Sequence, residues 1–234
     1  MADQGGEQQV KGAGGAGGQA VASGRRTGAR ATTRSRTRSI AFAGLTIALM
    51  GVSAWVAIPL GPVLLTLQMF ALMFALLVLT PKQCLAAIAG YLALGAAGLP
   101  MFSGMRGGIG MLVGPTGGYL WGYLVGAAAA LLVLQVLRTL ASRAEETSST
   151  GASPRKTRTA LTAPTAFAID LAGCLVFIAI TYACGCFQYA LVAGIDLAAA
   201  AAVTIAPFAI PDLLKAIAAV ICARAVRRAL PSRK

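Results

Sequence analysis

Two ionisable side chains stand three residues apart in the apolar stretch PFAIPDLLKAIAAV, residues 207–220. Residues at this spacing share one face of a helix, so Asp212 and Lys215 are expected to lie side by side. Ionisable groups within a membrane-spanning segment are rare, and they face the bundle interior, where they pair with each other or with a ligand. The pair therefore predicts either a structural ion pair or a hydrogen-bond acceptor and a cation at the mouth of a ligand pocket.

The glycine-rich segment from Gly98 to Trp121 carries a second cation, Arg106, close to Phe102 and Tyr119. Glycine allows positive φ angles and close backbone approach. Irregular backbone at membrane depth is tolerated only where protein or a water-filled cavity covers its polar groups. The segment thus predicts a shaped wall of a binding site. Arg106 would then contact the ligand or extend to the membrane interface.

Other polar residues in apolar stretches have more than one explanation. Gln68 needs a partner for its amide, which a ligand or another helix could provide. Asp170 suits a helix cap or a partner for a linker arginine, and we assign it no ligand contact. Cys184 and Cys186 lack the spacing of a redox or metal motif, and packing between helices explains them better.

The composition indicates a helical protein with several membrane spans. The chain of 234 residues is 57% hydrophobic and only 12% charged, with a mean hydropathy of +0.76. Its net charge of +13 comes from residues that flank apolar stretches, a pattern that the positive-inside rule explains without nucleic acid. Because the chain contains no histidine, a Ser-His hydrolase and a His-ligated zinc or haem site are disfavoured. We expect no catalytic residue, no metal and no cofactor.

The apolar stretches predict an all-α polytopic membrane protein with six transmembrane helices and a glycine-rich outer loop between helices 3 and 4. Each stretch approaches the length of about 20 residues that a bilayer requires. The predicted spans are about 40–58, 63–80, 83–98, 118–140, 163–184 and 211–228. The apolar segment 188–206 could be a short outer helix or a seventh span, and the positions of the basic residues favour six.

The polar stretches predict the domain organisation. Residues 1–39 form a basic tail that is expected to be disordered, residues 40–228 form the membrane domain, and residues 229–234 form a basic C-terminal tail. A polar linker is expected at about 141–162. If both termini are cytoplasmic, eighteen of the twenty basic residues fall on the cytoplasmic side. We therefore expect a multi-pass protein of the cytoplasmic membrane, with both termini in the cytoplasm.

Three blocks in this order, IPLGPVLLTLQ, GLPMFSGMRGGIGMLVGPTGGYLWGYLVG and PFAIPDLLKAIAA, resemble the BioY family. Members of this family are the biotin-specific substrate-binding components of energy-coupling-factor vitamin importers. The resemblance covers roughly residues 40–228, and its most specific parts are GPTGGYL and the later D-x-x-K. It implies a six-helix bundle that captures biotin from outside and is not itself an enzyme.

The resemblance also implies partners and site residues. Asp212 would accept a ureido N–H of biotin, Lys215 and Arg106 would supply cations, and Gln68 and Tyr119 are further ligand-binding candidates. Phe102 and Trp121 would form apolar walls. The small residues Gly44 and Ala48 on helix 1 would contact a transmembrane coupling protein, which works with two cytosolic ATPase subunits. Association of several copies of the chain is possible.

Two other functions remain open at this point. The same architecture could bind another small vitamin. An autonomous, ion-coupled secondary transporter is the alternative from a different class, although such proteins often contain two related halves. We find no internal repeat, and the ionisable pair lies near one end of its span.

Overall fold

The structure, a computed structural model, describes residues 37, 40–59, 64–148 and 163–229. Most of the described chain is helical, and almost all of it belongs to one compact unit, 42–234; a second unit covers 1–41. The helices are α1 (Ile40–Trp55), α2 (Gln68–Val78), α3 (Pro81–Ala96), α4 (Gly110–Val113), α5 (Gly117–Ser148), α6 (Ala163–Ala193), α7 (Leu197–Thr204) and α8 (Ala206–Ala229). The strands are β1 (Ala57–Pro59) and β2 (Leu64–Thr66). The predicted tails and most of the linker lie outside the described residues.

A short antiparallel hairpin follows α1, where the sequence predicted a simple turn between two long helices. Ala57 pairs with Thr66 and Pro59 with Leu64. A residue before proline is restricted to extended backbone, and proline itself interrupts a helix, so Pro59 ends helical structure early. The predicted first helix therefore stops at Trp55 rather than near residue 58. The second begins at Gln68 rather than near residue 63.

Local side-chain caps fix the start of two helices. Thr80 Oγ1 accepts a hydrogen bond from the Gln83 backbone N–H, and Gln83 Oε1 accepts one from the Thr80 N–H. This capping box, with proline at the first helical position, begins α3. Asp196 caps α7 by accepting from the Ala199 N–H. With eight residues, α7 is too short to cross a bilayer, so the segment 188–206 does not form a seventh span.

The three last long helices extend further than the sequence predicted. The fourth predicted span continues to Ser148 and takes in the start of the expected linker, and the fifth continues to Ala193. The last helix begins at Ala206 rather than near residue 211, so Pro211 lies inside α8. Its missing N–H removes one hydrogen bond, to the carbonyl of Pro207.

Glycines bring α5 and α6 into close contact along most of their length. A Cβ atom added at Gly118 would lie 2.3 Å from the Cys184 carbonyl oxygen, and one at Gly122 would lie 2.9 Å from the Thr181 Cα. Conversely, Leu134 occupies the space above Gly173. Small residues let helices in a membrane approach closely and gain van der Waals contact. The close packing of α5 and α6 therefore fixes the positions of the side chains on these two helices.

By length and composition, three of the described helices could cross a membrane, namely Gly117–Ala144 within α5, α6 and α8. The helices α1 and α2 are apolar but shorter. The core of the bundle contains large buried side chains from α2, α3, the glycine-rich segment, α5 and α6, namely Leu72, Tyr91, Phe102, Leu134 and Phe177.

Candidate functional site

A cavity of about 940 Å³, open mouth included, lies among β2, the glycine-rich segment and the facing sides of α5, α6 and α8. Its walls are mainly apolar, with Leu65, Met69, Phe102 and Phe208 among them. Side chains with polar groups also line it: Ser103, Arg106, Thr116, Tyr119, Tyr123, Tyr182, Thr204, Asp212 and Lys215, with Thr66 from β2.

The predicted pair Asp212 and Lys215 forms the polar centre of this cavity. Lys215 Nζ donates to Asp212 Oδ1 at 2.7 Å and to the Thr66 carbonyl oxygen at 2.8 Å. Tyr182 Oη donates to Asp212 Oδ2 at 2.6 Å. The Asp212 side chain is only 4% exposed and the Lys215 side chain 15%. The network thus links α8 with α6 and with the β hairpin.

The network leaves hydrogen-bonding capacity for a ligand. An ammonium group has three donors, and Lys215 uses two of them on protein atoms. A carboxylate offers about four lone-pair sites, and Asp212 accepts two hydrogen bonds from the protein. The pair can therefore donate to a ligand oxygen and accept from a ligand N–H at the same place.

Two tyrosines form a second polar edge of the cavity. Tyr119 Oη donates to the Thr204 carbonyl oxygen at 3.1 Å, which ties α5 to α7. The Tyr119 and Tyr182 rings meet edge to face with centroids 6.4 Å apart. Gly185 makes room for this arrangement, because an added Cβ would lie 2.4 Å from the Tyr119 ring. Tyr119 thus presents both an apolar ring and a fixed hydroxyl to the cavity.

Arg106 lies in a tight reversal of the glycine-rich segment. The Phe102 N–H donates to the Arg106 carbonyl oxygen at 2.9 Å, and Gly104 and Met105 between them have φ angles of 72° and 58°. Arg106 is exposed and lines the cavity mouth. Over 40–59, 64–148 and 163–229, its guanidinium forms no ion pair with a carboxylate. Its positive charge is available to an incoming anion.

Close backbone contacts hold the glycine-rich segment in place. A Cβ atom at Gly107 would lie 2.3 Å from the Leu99 carbonyl oxygen, and one at Gly117 would lie 2.0 Å from that of Leu112. Gln188 Nε2 donates to the carbonyl oxygens of Leu112 and Gly114, at 3.0 and 2.8 Å. The segment is therefore fixed to α6 by hydrogen bonds and to itself by contacts that a side chain would prevent.

Gln68 does not line the cavity, although the sequence made it a ligand candidate. It is fully buried, its Nε2 donates to Tyr91 Oη at 2.7 Å, and its Oε1 accepts from Ser103 Oγ at 3.4 Å. The sequence allowed a hydrogen bond either to a ligand or to another helix, and in the structure the Gln68 amide is bonded to Tyr91 of α3. Through Ser103, Gln68 still acts on the cavity wall.

Of the two predicted apolar walls, the structure brings only Phe102 to the cavity. Trp121 is 48% exposed, lies outside the lining, and donates from Nε1 to the Leu112 carbonyl oxygen at 3.3 Å. Gly44 and Ala48, the predicted docking residues, are exposed on α1. No metal site is formed by three acidic or thiol side chains in the described part of the chain.

Sequence reasoning missed Tyr182 and the Thr66 carbonyl, both of which contact the ionisable pair. The available signal for Tyr182 was a phenol within an apolar helix, since a buried tyrosine hydroxyl usually finds a hydrogen-bond partner. No sequence signal marks Thr66, because a main-chain carbonyl becomes an acceptor only through the strand that presents it. What results is a cavity whose groups are complementary to a small molecule with an apolar body, N–H donors and an anionic group.

Comparison with protein families gives one match over nearly the whole chain. The family model described as the BioY family matches residues 26–232. The biotin transporter BioY of Rhodobacter capsulatus is 34% identical over 206 residues, which are 83% of this chain and 96% of that protein.

Other relatives match only a part of the chain. The biotin transporter BioY of Thermotoga maritima is 50% identical over 90 residues, 38% of this chain and 53% of that protein. The probable biotin transporter BioY of Pyrococcus horikoshii is 44% identical over 85 residues, 36% and 52% of the two chains. The chain thus spans about half the length of these two curated relatives.

A solved structure shares the fold. The crystal structure of an S-component for biotin from an ECF-type ABC transporter superimposes with a TM-score of 0.65 and covers 83% of this chain and 93% of that one. At 22% sequence identity, this likeness establishes the helical fold and nothing about the ligand.

Proposed function

Because this chain belongs to the BioY family, we propose that it is the biotin-capturing membrane component of an energy-coupling-factor vitamin importer. As a transporter component it belongs to no enzyme class. The observation that carries the proposal is the polar centre of the cavity. There a buried carboxylate and an ammonium group lie 2.7 Å apart, and each keeps hydrogen-bonding capacity.

The chemistry of biotin matches the cavity group by group. Its ureido ring has two N–H donors and a carbonyl acceptor, its thioether ring is apolar, and its side chain ends in a carboxylate. Asp212 accepts a ureido N–H, while Lys215 donates to the ureido oxygen or to the carboxylate. Phe102 and Phe208 contact the apolar rings. Hydrogen bonds to charged groups contribute about 1.5–3 kcal/mol each, enough to select such a ligand.

The remaining candidates take supporting roles in this proposal. Arg106, exposed at the cavity mouth, attracts the carboxylate and competes with Lys215 for it. Tyr119 contacts the ligand with its ring, since its hydroxyl already donates to Thr204. Gln68 holds Ser103 in the wall rather than touching biotin itself.

We also propose the membrane topology that the sequence predicted. In it α1, α2, α3, α5, α6 and α8 are the six spans, and the glycine-rich segment lies on the outer face. Both termini and residues 141–162 are cytoplasmic, so basic residues concentrate on the inner side of the cell membrane. The domain limits 1–39, 40–228 and 229–234 belong to the same proposal.

The proposed partners are a transmembrane coupling protein and two cytosolic ATPase subunits. Gly44 and Ala48 on α1 are exposed, and a Cβ added at Gly44 would meet nothing within 4 Å. Exposed small residues four apart would allow a partner helix to approach closely. Whether several copies of the chain associate stays a prediction.

Equilibrium binding and uptake test the proposal together. The purified chain should bind labelled biotin, and unlabelled biotin should displace it whereas thiamine and riboflavin should not. Uptake into cells that express the chain should fall to background when the coupling protein is deleted. Displacement by another vitamin would contradict the ligand, and full uptake without the coupling protein would contradict the class of importer.

A further inference from the structure

Four arginines surround one aspartate at the opposite end of α8 from the cavity. Asp170 is 4% exposed and accepts hydrogen bonds from Arg138 at 2.9 Å and from Arg227. Arg224 and Arg228 line the same cleft, which measures about 650 Å³ with its open mouth. We call this group of four arginines and Asp170 the arginine cleft. It carries three more positive charges than negative ones.

The arginine cleft is built around a buried donor that has no acceptor. Arg224 Nη2 donates to the Ala163 carbonyl oxygen at 2.9 Å, and its guanidinium carbon lies 5.8 Å from the centre of the Phe167 ring. Its other nitrogen, Nη1, is buried and forms no hydrogen bond within the described part of the chain. An unpaired buried donor on a charged group is costly, so an acceptor at this position would be strongly stabilising.

Asp170 does not fill this role, because its oxygens accept from other arginines and Arg224 Nη1 forms no hydrogen bond with it. Arg138 takes Oδ1 and Arg227 takes Oδ2. The acidic residues of the described segments thus leave Arg224 and Arg228 without an ion-pair partner. Among the side chains that the structure describes, no carboxylate neutralises these two arginines, so the cleft presents positive charge to an anion.

The location of the arginine cleft indicates which anion this is. It lies where α5 and α8 approach their C-terminal ends and α6 begins, with Arg227 and Arg228 in the last turn of α8. Helix ends of this kind lie at the level of lipid headgroups, and basic pockets between membrane helices bind anionic headgroups. The start of α6 adds the partial positive charge of a helix N-terminus.

An apolar track leads from the arginine cleft toward the middle of the span. Ile221 and Ile217 precede Arg224 by three and seven residues, so they share its face of α8. Ile221 is 57% exposed. This is the arrangement that an acyl chain attached to a bound headgroup requires.

We propose that the arginine cleft binds the phosphate of an anionic phospholipid. Arg224 Nη1 and Arg228 donate to the phosphate oxygens, and the acyl chain lies along Ile221 and Ile217. Arg138 and Arg227 stay on Asp170 and supply the surrounding positive field. About 12 residues, or roughly 18 Å of helix, separate Arg224 from Asp212, so this lipid is distinct from the ligand of the cavity.

Native mass spectrometry of the full chain in neutral detergent tests the proposal. The probes are phosphatidylglycerol, phosphatidylcholine and inorganic phosphate, added to wild type, Arg224→Gln, Arg228→Gln and Lys82→Gln. Arg228 makes no hydrogen bond that its loss would break among the described residues, so this variant should fold normally. Lys82 is an exposed cation at the start of α3, outside the cleft, and serves as the matched control.

The proposal predicts one tightly held phosphatidylglycerol per chain and at least about tenfold weaker retention of phosphatidylcholine. Arg224→Gln and Arg228→Gln should each lower retention of phosphatidylglycerol about tenfold, as expected for a lost charge-assisted hydrogen bond, and Lys82→Gln should not.

Three results would overturn the proposal. Equal losses in Arg228→Gln and Lys82→Gln would mean general attraction between charges. Displacement of the lipid by millimolar inorganic phosphate would assign the cleft to a free anion. Absence of lipid binding together with weaker capture of the coupling protein by Arg228→Gln would assign it to a protein carboxylate.

Discussion

At the scale of single residues, the position of the Asp212 carboxylate depends on a tyrosine from another helix. Tyr182 Oη is 2.6 Å from Oδ2, while Lys215 holds Oδ1. The Tyr182 hydroxyl and the Lys215 ammonium group together stabilise the buried carboxylate, because an uncompensated charge away from water is costly. Tyr182 therefore orients the acceptor that the proposed ligand requires.

Removing this hydroxyl should weaken ligand binding without removing the carboxylate. We expect Tyr182→Phe to lower biotin affinity by about fivefold, equivalent to about 1 kcal/mol for one hydrogen bond. Isothermal titration of the purified protein measures this. Tyr189→Phe, on the same helix but outside the cavity lining, is the matched control. Equal affinities in the two variants would mean that Tyr182 does not position Asp212.

The cation that holds the ligand carboxylate can be identified with biotin methyl ester. If Lys215 holds it, Lys215→Met should remove the preference for biotin over the ester, whereas Arg106→Met should keep it. Loss of a charge-assisted bond predicts a change of about tenfold or more in that preference. Competition binding measures the ratio, with Lys82→Met as the control for loss of a distant lysine. The opposite pattern would assign the carboxylate to Arg106.

The sequence predicted part of this network and could not predict the rest. The contact between Asp212 and Lys215 follows from their spacing on one helix, because the geometry is local. Tyr182 lies 30 residues away and Thr66 lies 149 residues from Lys215, so only the packing of helices brings them together. Gln68 was expected to bond a ligand or a helix, and its partner Tyr91 was equally beyond local reasoning.

At the scale of elements, the glycine-rich segment owes its path to the absence of side chains at particular points. We expect Gly107→Ala to lower the free energy of unfolding by about 1–3 kcal/mol, the usual cost of overpacking. The reason is that the new Cβ would lie 2.3 Å from the Leu99 carbonyl oxygen. Biotin affinity should fall with it, since Arg106 is the adjacent residue. Thermal denaturation and titration in detergent measure the two effects.

Gly110→Ala is the matched control for this substitution. A Cβ at Gly110 would meet nothing within 4 Å, and its φ angle is not positive, so stability and affinity should stay near those of wild type. If both variants behaved alike, steric contact at Gly107 would not determine the path of the segment.

Helix positions were predictable from apolar stretches, but helix ends were not. The hairpin of β1 and β2 replaces the ends of two predicted helices, because prolines restrict the backbone locally. Hydropathy reports only how apolar a stretch is, so it does not predict this restriction. Likewise, α5 continues beyond its apolar stretch to Ser148, and α6 continues into the apolar segment 188–206 as far as Ala193, since a change in side-chain polarity does not by itself end a helix. The length that a bilayer requires therefore predicts where a span lies better than where its helix stops.

At the scale of the whole molecule, charges occupy two separate places with different roles. Asp212 and Lys215 form a balanced pair in the cavity, while Asp170 joins α5, α6 and α8 through two arginines. For Asp170, which contacts Arg138 of α5 and Arg227 of α8, the sequence predicted either a helix cap or a partner for a linker arginine. It could not indicate that two arginines from different helices share one carboxylate, because that requires the packed bundle.

Loss of the Asp170 charge should affect stability and leave ligand binding unchanged. We expect Asp170→Asn to lower the unfolding free energy by about 1–3 kcal/mol, because two half-exposed arginines lose their shared acceptor. Biotin affinity should stay within about twofold, since about 15 residues, or roughly 22 Å of helix, separate Arg227 from Asp212. Thermal denaturation and titration check both statements, and a large loss of affinity at unchanged stability would contradict them.

The most direct test of the central claim is the biotin affinity of the purified chain alone, compared between wild type, Asp212→Asn and Asp196→Asn. Asparagine caps a helix as well as aspartate does, so Asp196→Asn controls for the loss of one negative charge without loss of structure. We predict tight binding by wild type and by Asp196→Asn, and at least tenfold weaker binding by a folded Asp212→Asn. Wild-type affinity in a folded Asp212→Asn would contradict the claim that biotin binds at this carboxylate.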